Sequence, residues 1–158
     1  MPTTVAEKRS LCLRVAYALC LAGGTWTHLQ VALVHGLWWD YGGAALVTRV
    51  YWTALLFLDP LAALLLLVKP RLGLIACASI IVTDVLHNTW FALHNPARMD
   101  LYLSQIAFLL FVVFSVRTAW KGAPRSKHAR LGISGSEAYF ARGAVKRKVT
   151  PQPLPMKY

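Results

Sequence analysis

At 158 residues the chain is long enough for one domain, and 57% hydrophobic residues with a mean hydropathy of +0.50 is too apolar for a water-soluble domain of this size. The formal net charge of +11 does not point to nucleic acid, because the basic residues are concentrated in a few short stretches. Of the 17 Lys and Arg, ten lie from Arg117 onward. Nothing in the chain reads as a phosphate loop, a serine-based triad or a nucleic-acid reader.

Four apolar stretches approach the roughly 20 residues that cross a bilayer, about 11–35, 44–68, 72–93 and 101–120. The expectation is an all-α integral membrane protein, an antiparallel up-down four-helix bundle. A short cytoplasmic N-terminal lead over 1–10 would precede it, and a basic, mostly disordered cytoplasmic tail over 121–158 would follow. Lys8, Arg9 and Arg14 sit at the start of the first helix, and Lys69 and Arg71 flank a tight turn, while Arg49 and Arg98 stand apart. That bias places both termini and the Lys69–Arg71 turn inside, with the Gly36–Gly43 and Asn95–Asp100 loops outside. Four spans agree, since an even number returns the chain to its starting side. The first apolar run is too long for a signal peptide and lacks a cleavage signature, so it is read as a retained helix.

Along the first helix Arg14, Tyr17, Gly24, His28 and His35 share a broad face, and Gly23-Gly24 permits close approach of a neighbour. Cys12, Cys20 and Cys77 form no CxxC pair and read as small buried hydrophobes. The following loop carries Trp38, Trp39 and Tyr41, suited to anchor a helix end at the membrane interface. In the second helix Arg49 lies near the interface, and Asp59-Pro60 predicts a kink, because proline removes a backbone donor and frees the Leu56 carbonyl. Val68-Lys69-Pro70-Arg71 predicts a short antiparallel hairpin. His94-Asn95-Pro96 closes the third helix and Asp100 is a candidate N-cap for the fourth. In the tail, the basic clusters Lys121–Arg130 and Lys146–Lys148 suit anionic lipid headgroups, and 137–148 suits a short amphipathic piece.

The third helix carries the main functional signal. Asp84, His87 and Asn88 stand at i, i+3 and i+4, and therefore on one side of a helix. A carboxylate near the membrane centre costs about 2.5–3.5 kcal/mol on insertion scales, so such a residue is a functional suspect by default. Counting about 1.5 Å per residue from the inner ends puts Asp59 at roughly 15 Å and Asp84 at roughly 20 Å. His28, His87, Asn88 and Gln105 then fall at roughly 22–26 Å. Polar residues from four helices thus converge on one slab in the outward half. Asn88 and Gln105 also serve as interhelical hydrogen-bonding glue, worth about 0.6 kcal/mol on average.

Three chemistries suit this layer. Carboxylates beside imidazoles bind or exchange protons. His28, Asp84 and His87, with Asp59, offer a ligand set to iron or zinc. His28 and His87, at matching depth on the first and third helices, offer an axial pair to haem.

The run Leu58-Asp59-Pro60-Leu61 through Leu67, then Lys69-Pro70-Arg71-Leu72-Gly73, resembles the helix–turn–helix of DoxX-like bacterial membrane proteins, and Ala22-Gly23-Gly24 with His28 is similar to their first helix. The resemblance covers about residues 14–117 and implies a four-helix, redox- or quinone-associated protein of the bacterial inner membrane. Taken together, these readings favour an intramembrane pocket for a small lipophilic or quinone-like molecule, with proton-linked redox chemistry as an elaboration. A non-enzymatic subunit or assembly factor, held to a homo-oligomer or membrane-complex partner, and a small proton-coupled transporter are the rival readings.

Overall fold

The computed structural model describes residues 4–94 and 99–124. Four helices follow in order: α1 (Val5–His35), α2 (Leu46–Val68), α3 (Pro70–His94) and α4 (Met99–Lys121). They form an up-down bundle in which α1 packs on α2 and α4, and α3 closes the ring between α2 and α4. The all-α expectation is met. The two long stretches of tail sequence, 125–130 and 137–148, and the Asn95 and Arg98 positions lie outside the described residues.

Three helices, α2, α3 and α4, are long and apolar enough to cross a membrane. The first helix is longer, at 31 residues, but does not join them on composition. Arg14, Thr25, Thr27, His28 and Gln30 dilute it, so four expected spans become three on this measure. Large apolar side chains cover the outside of the bundle, among them Phe57, Leu61, Leu64, Leu86 and Phe114. An outer surface of that kind is stable against hydrocarbon and a liability in water. The chain is an integral membrane protein.

The helix boundaries follow local chemistry. α1 begins six residues before the expected start, at Val5, because Thr4 and Glu7 form a reciprocal capping box: the Glu7 amide donates to Thr4 Oγ1 and the Thr4 amide donates to Glu7. Residues 5–10 of the expected N-terminal lead are therefore helical. α3 opens on Pro70, whose missing N–H is no loss at a first helical position. α4 opens at Met99, which places Asp100 within the first turn instead of at the cap. α2 is continuous through Pro60.

One half of the bundle is solid. Near the α2–α3 turn the buried core gathers Tyr17, Leu21, Leu66, Leu74, Cys77 and Val112. Tyr17 packs edge-on against Phe108 and Phe111, and its hydroxyl meets Ser115 Oγ at 2.6 Å. Ser10 donates to the Ala119 carbonyl at 2.6 Å, joining α1 to α4. Arg71 lies over the Trp120 ring at 5.2 Å. Cys77 is buried as expected, but Cys12 and Cys20 are exposed on the bundle surface, so the sequence reading of all three as core residues holds for one.

Arg14 has a specific structural task. It is 5% exposed, and its Nη1 donates to the Leu66 carbonyl at 2.6 Å. In an α-helix that carbonyl would accept from the amide four residues on, which here is Pro70 and has no N–H. The guanidinium supplies the missing donor and places a cation at the α2 C-terminus, where the helix dipole favours one. Arg14→Met, which keeps the length and removes the donor, is expected to lower stability by about 1–3 kcal/mol. Thermal unfolding in detergent measures it; Arg14→Lys should recover part of the loss.

Candidate functional site

The other half of the bundle is hollow. Toward the α1–α2 loop the four helices line an open cavity of about 520 Å³. Its wall is largely apolar and aromatic, with Trp52, Phe91, Tyr102 and Phe108 contributed by α2, α3 and α4. Its polar groups are His28 from α1, Asp59 from α2, Asp84 and Asn88 from α3, and Gln105 from α4. Five of the six residues singled out in the sequence thus meet in one space.

His87 is the sixth, and it does not join them. Its ring lies against Tyr51, with centroids 4.6 Å apart, and edge-on to Trp52 at 6.1 Å. The i, i+3, i+4 spacing spreads over enough arc that Asp84 and Asn88 face inward while His87 lies in the α2–α3 seam. His28 and His87 therefore do not oppose each other as an axial pair would. Among the described residues, no group of three or more His, Cys, Asp or Glu is placed to hold a metal ion. The metal set His28, Asp84 and His87 is not brought together.

Asn88 is the hub of the polar layer. Trp52 Nε1 donates to Asn88 Oδ1 at 2.9 Å, and Asn88 Nδ2 donates to Asp84 Oδ1 at 2.9 Å and to Gln105 Oε1 at 3.1 Å. An indole nitrogen can only donate, so the Asn88 oxygen must face it and the NH₂ must face the other two. The direction of the whole chain is thereby fixed. Asp84 is held as an acceptor, and Gln105 keeps its own NH₂ for the cavity. Tyr102 and Thr89, with hydroxyls 2.9 Å apart, tie α3 to α4 beside this network.

Asp59 differs. It is 4% exposed, and its Oδ1 has no hydrogen-bond partner. Its place depends on Gly24: a Cβ at that position would come within 2.8 Å of Asp59 Oδ2. The paired glycines of the first helix are thus unequal, since a Cβ at Gly23 would meet nothing within 4 Å. Among the described residues, no Lys or Arg lines the cavity.

The loop forms the cavity's rim, which the sequence did not disclose. Trp38 is 87% exposed, in keeping with an interfacial anchor. Trp39 and Tyr41 turn inward and line the cavity instead. The rings run in a chain: His35 stacks on Trp39 at 4.0 Å, Trp39 meets Tyr41 at 4.8 Å, and Tyr41 meets Trp52 at 5.0 Å. Tyr41 is a non-glycine residue with φ of 53°, followed by Gly42 and Gly43 at 74° and 86°. Successive left-handed residues of this kind turn the chain sharply, and only glycine adopts them without strain. A W-x-Y-G-G string is the sequence signal for such an inward turn, legible only once the cavity is known.

Fold and site together define an integral membrane four-helix bundle, solid at one end and hollow at the other, with two buried acids in the hollow end. The chain matches no protein-family model, no curated protein and no solved structure. The resemblance to DoxX-like proteins rests on the residues that carry it.

Proposed function

We propose that this chain is a membrane-embedded binding protein that holds a small lipophilic molecule in the loop-end cavity, its polar head against Asp59, Asp84 and His28. The observation that carries this reading is the cavity itself: about 520 Å³, apolar-walled, with convergent polar groups from all four helices. Pockets for small molecules have this size and this mixture, in which apolar walls give affinity and a few polar groups give orientation. Helix packing alone would be served better by filling the space, because a void forfeits dispersion contacts along its lining. The basic bias of the chain supports a topology with α1 also crossing and both termini cytoplasmic, which puts the cavity in the outward half; a place in the bacterial inner membrane is what the resemblance to DoxX-like proteins implies.

The test is retention of a ligand. Protein purified in mild detergent is extracted and its non-phospholipid molecules are quantified by mass spectrometry against Thr27→Trp and Ser104→Trp, which place an indole at the cavity edge from α1 and α4. A molecule retained near one per chain by the wild type and lost from both variants is the expected result. Equal content in all three would remove the cavity as its seat.

A further inference from the structure

The groups left free in the cavity define the head of the ligand. Asp59 is nine-tenths buried and more, and its Oδ1 is without a partner. Asp84 receives one hydrogen bond, from Asn88, and the direction of that bond is set by Trp52. Two carboxyl groups from α2 and α3 therefore line a space that, among the described residues, has His28 but no Lys or Arg in its lining. Around them stand Trp39, Tyr41, Trp52 and Phe91, whose ring faces attract a cation.

On the reading that this cavity binds a lipophilic molecule, we propose that its ligand carries an ammonium group, and that Asp59 is the carboxylate that receives it, with Asp84 alongside. A protonated amine supplies positive charge with donors on the same atom, and no Lys or Arg among the described lining residues provides that charge to the two acids. In a low-dielectric site an ion pair with good hydrogen-bond geometry is stronger than at a water-exposed surface. A quinone carries only acceptors, and its carbonyls would find Gln105 and His28 but leave the Asp59 oxygen unpartnered. A phospholipid with an amine headgroup carries a phosphate as well, which would enter a cavity whose described lining holds acids and no Lys or Arg. The chemistry that remains is an amine on a compact or single-chain apolar body. The relay from Trp52 through Asn88 holds Asp84 in place as an acceptor, so both acids serve the same head.

The experiment compares three probes of different head chemistry in phosphatidylcholine nanodiscs: 4-phenylbutylamine, 4-phenylbutanol and decylubiquinone. Affinities are corrected for partition into protein-free discs. For the wild type the amine should bind on the order of ten- to a hundredfold more tightly than the alcohol. Asp59→Asn, which keeps the shape and removes the charge, should abolish that preference, while Asp40→Asn, outside the cavity, should leave it intact. Asp84→Asn provides a second reading, with a smaller loss, and folding of each variant is confirmed by circular dichroism and a single elution peak. Dodecylamine separates a single-chain amine from the compact one, and phosphatidylethanolamine discs reveal a lipid source if they suppress amine binding. If alcohol or quinone binds as well as the amine, and Thr27→Trp blocks all three, the ammonium proposal fails while the cavity stands as a binding site. If none of the probes binds, both readings fall.

Discussion

Gly73→Leu is expected to disrupt the α2–α3 hairpin and to give a large loss of stability. A Cβ on Gly73 would lie 2.2 Å from the Leu66 amide nitrogen and 2.4 Å from its Cα. These are backbone atoms, which cannot rotate out of the way as a side chain can, so two helices must separate. Overpacking of a close-fitted core typically costs about 1–3 kcal/mol and more where the backbone must move; this contact belongs at the upper end. Separation would also draw Leu66 away from Arg14 and break the hydrogen bond that completes the α2 C-terminus. Gly23→Ala is the control, because its added methyl meets nothing within 4 Å and alanine is the better helix former. Fluorescence-detected elution and thermal unfolding in detergent should separate the two variants clearly. Wild-type stability in Gly73→Leu would show that the helices do not pack this closely at the turn.

Asn88→Leu is expected to collapse the polar layer. It removes three hydrogen bonds together and leaves the Trp52 indole N–H, Asp84 Oδ1 and Gln105 Oε1 without their shared partner. Single interhelical hydrogen bonds in membrane proteins average about 0.6 kcal/mol, so three simple losses would sum to about 2 kcal/mol. An orphaned buried group adds its desolvation cost, about 1–3 kcal/mol. The net expectation is a destabilisation of about 3–5 kcal/mol, read by thermal or denaturant unfolding in micelles. Asn88→Asp is the sharper test of direction. It keeps an acceptor for Trp52 but puts a second carboxyl against Asp84 and Gln105, both of which present oxygens. It should therefore be no better tolerated than leucine, whereas a network without fixed direction would accept it. Leucine should also remove ligand retention, since Asp84 loses the donor that holds it toward the cavity.

The two variants act on opposite ends of the bundle, and the sequence disclosed those ends unequally. Helices α2, α3 and α4 were legible from apolar length alone, because a segment in hydrocarbon must satisfy its backbone internally and shed charge. The hairpin was legible from Lys69-Pro70, and the shared level of Asp59, Asp84, Asn88, His28 and Gln105 along the bundle from simple counting, since the rise of a helix is fixed. Each of those five residues lines the cavity. The direction in which a side chain points was less secure. His87 satisfied the same spacing as Asn88 yet lies against Tyr51, because rotation of α3 about its axis is set by the neighbours it packs on.

Other features could be decided only by tertiary structure. Nothing local in Arg14 says that it will complete a carbonyl orphaned by a proline 56 positions later in the chain; that requires α1 and α2 to be antiparallel and in register. Nothing in Trp39 or Tyr41 distinguishes them from Trp38, but the left-handed turn at Tyr41-Gly42-Gly43 brings them over the cavity while Trp38 stays outside. The sequence by itself determined that this chain enters a membrane as helices and that two acids lie within those helices, because the cost of polar groups in hydrocarbon is a property of the residues. Packing decided that one half would be filled and the other left open, with Asp59 facing a space that its own protein does not complete, because a cavity belongs to the arrangement of four helices and to none of them alone.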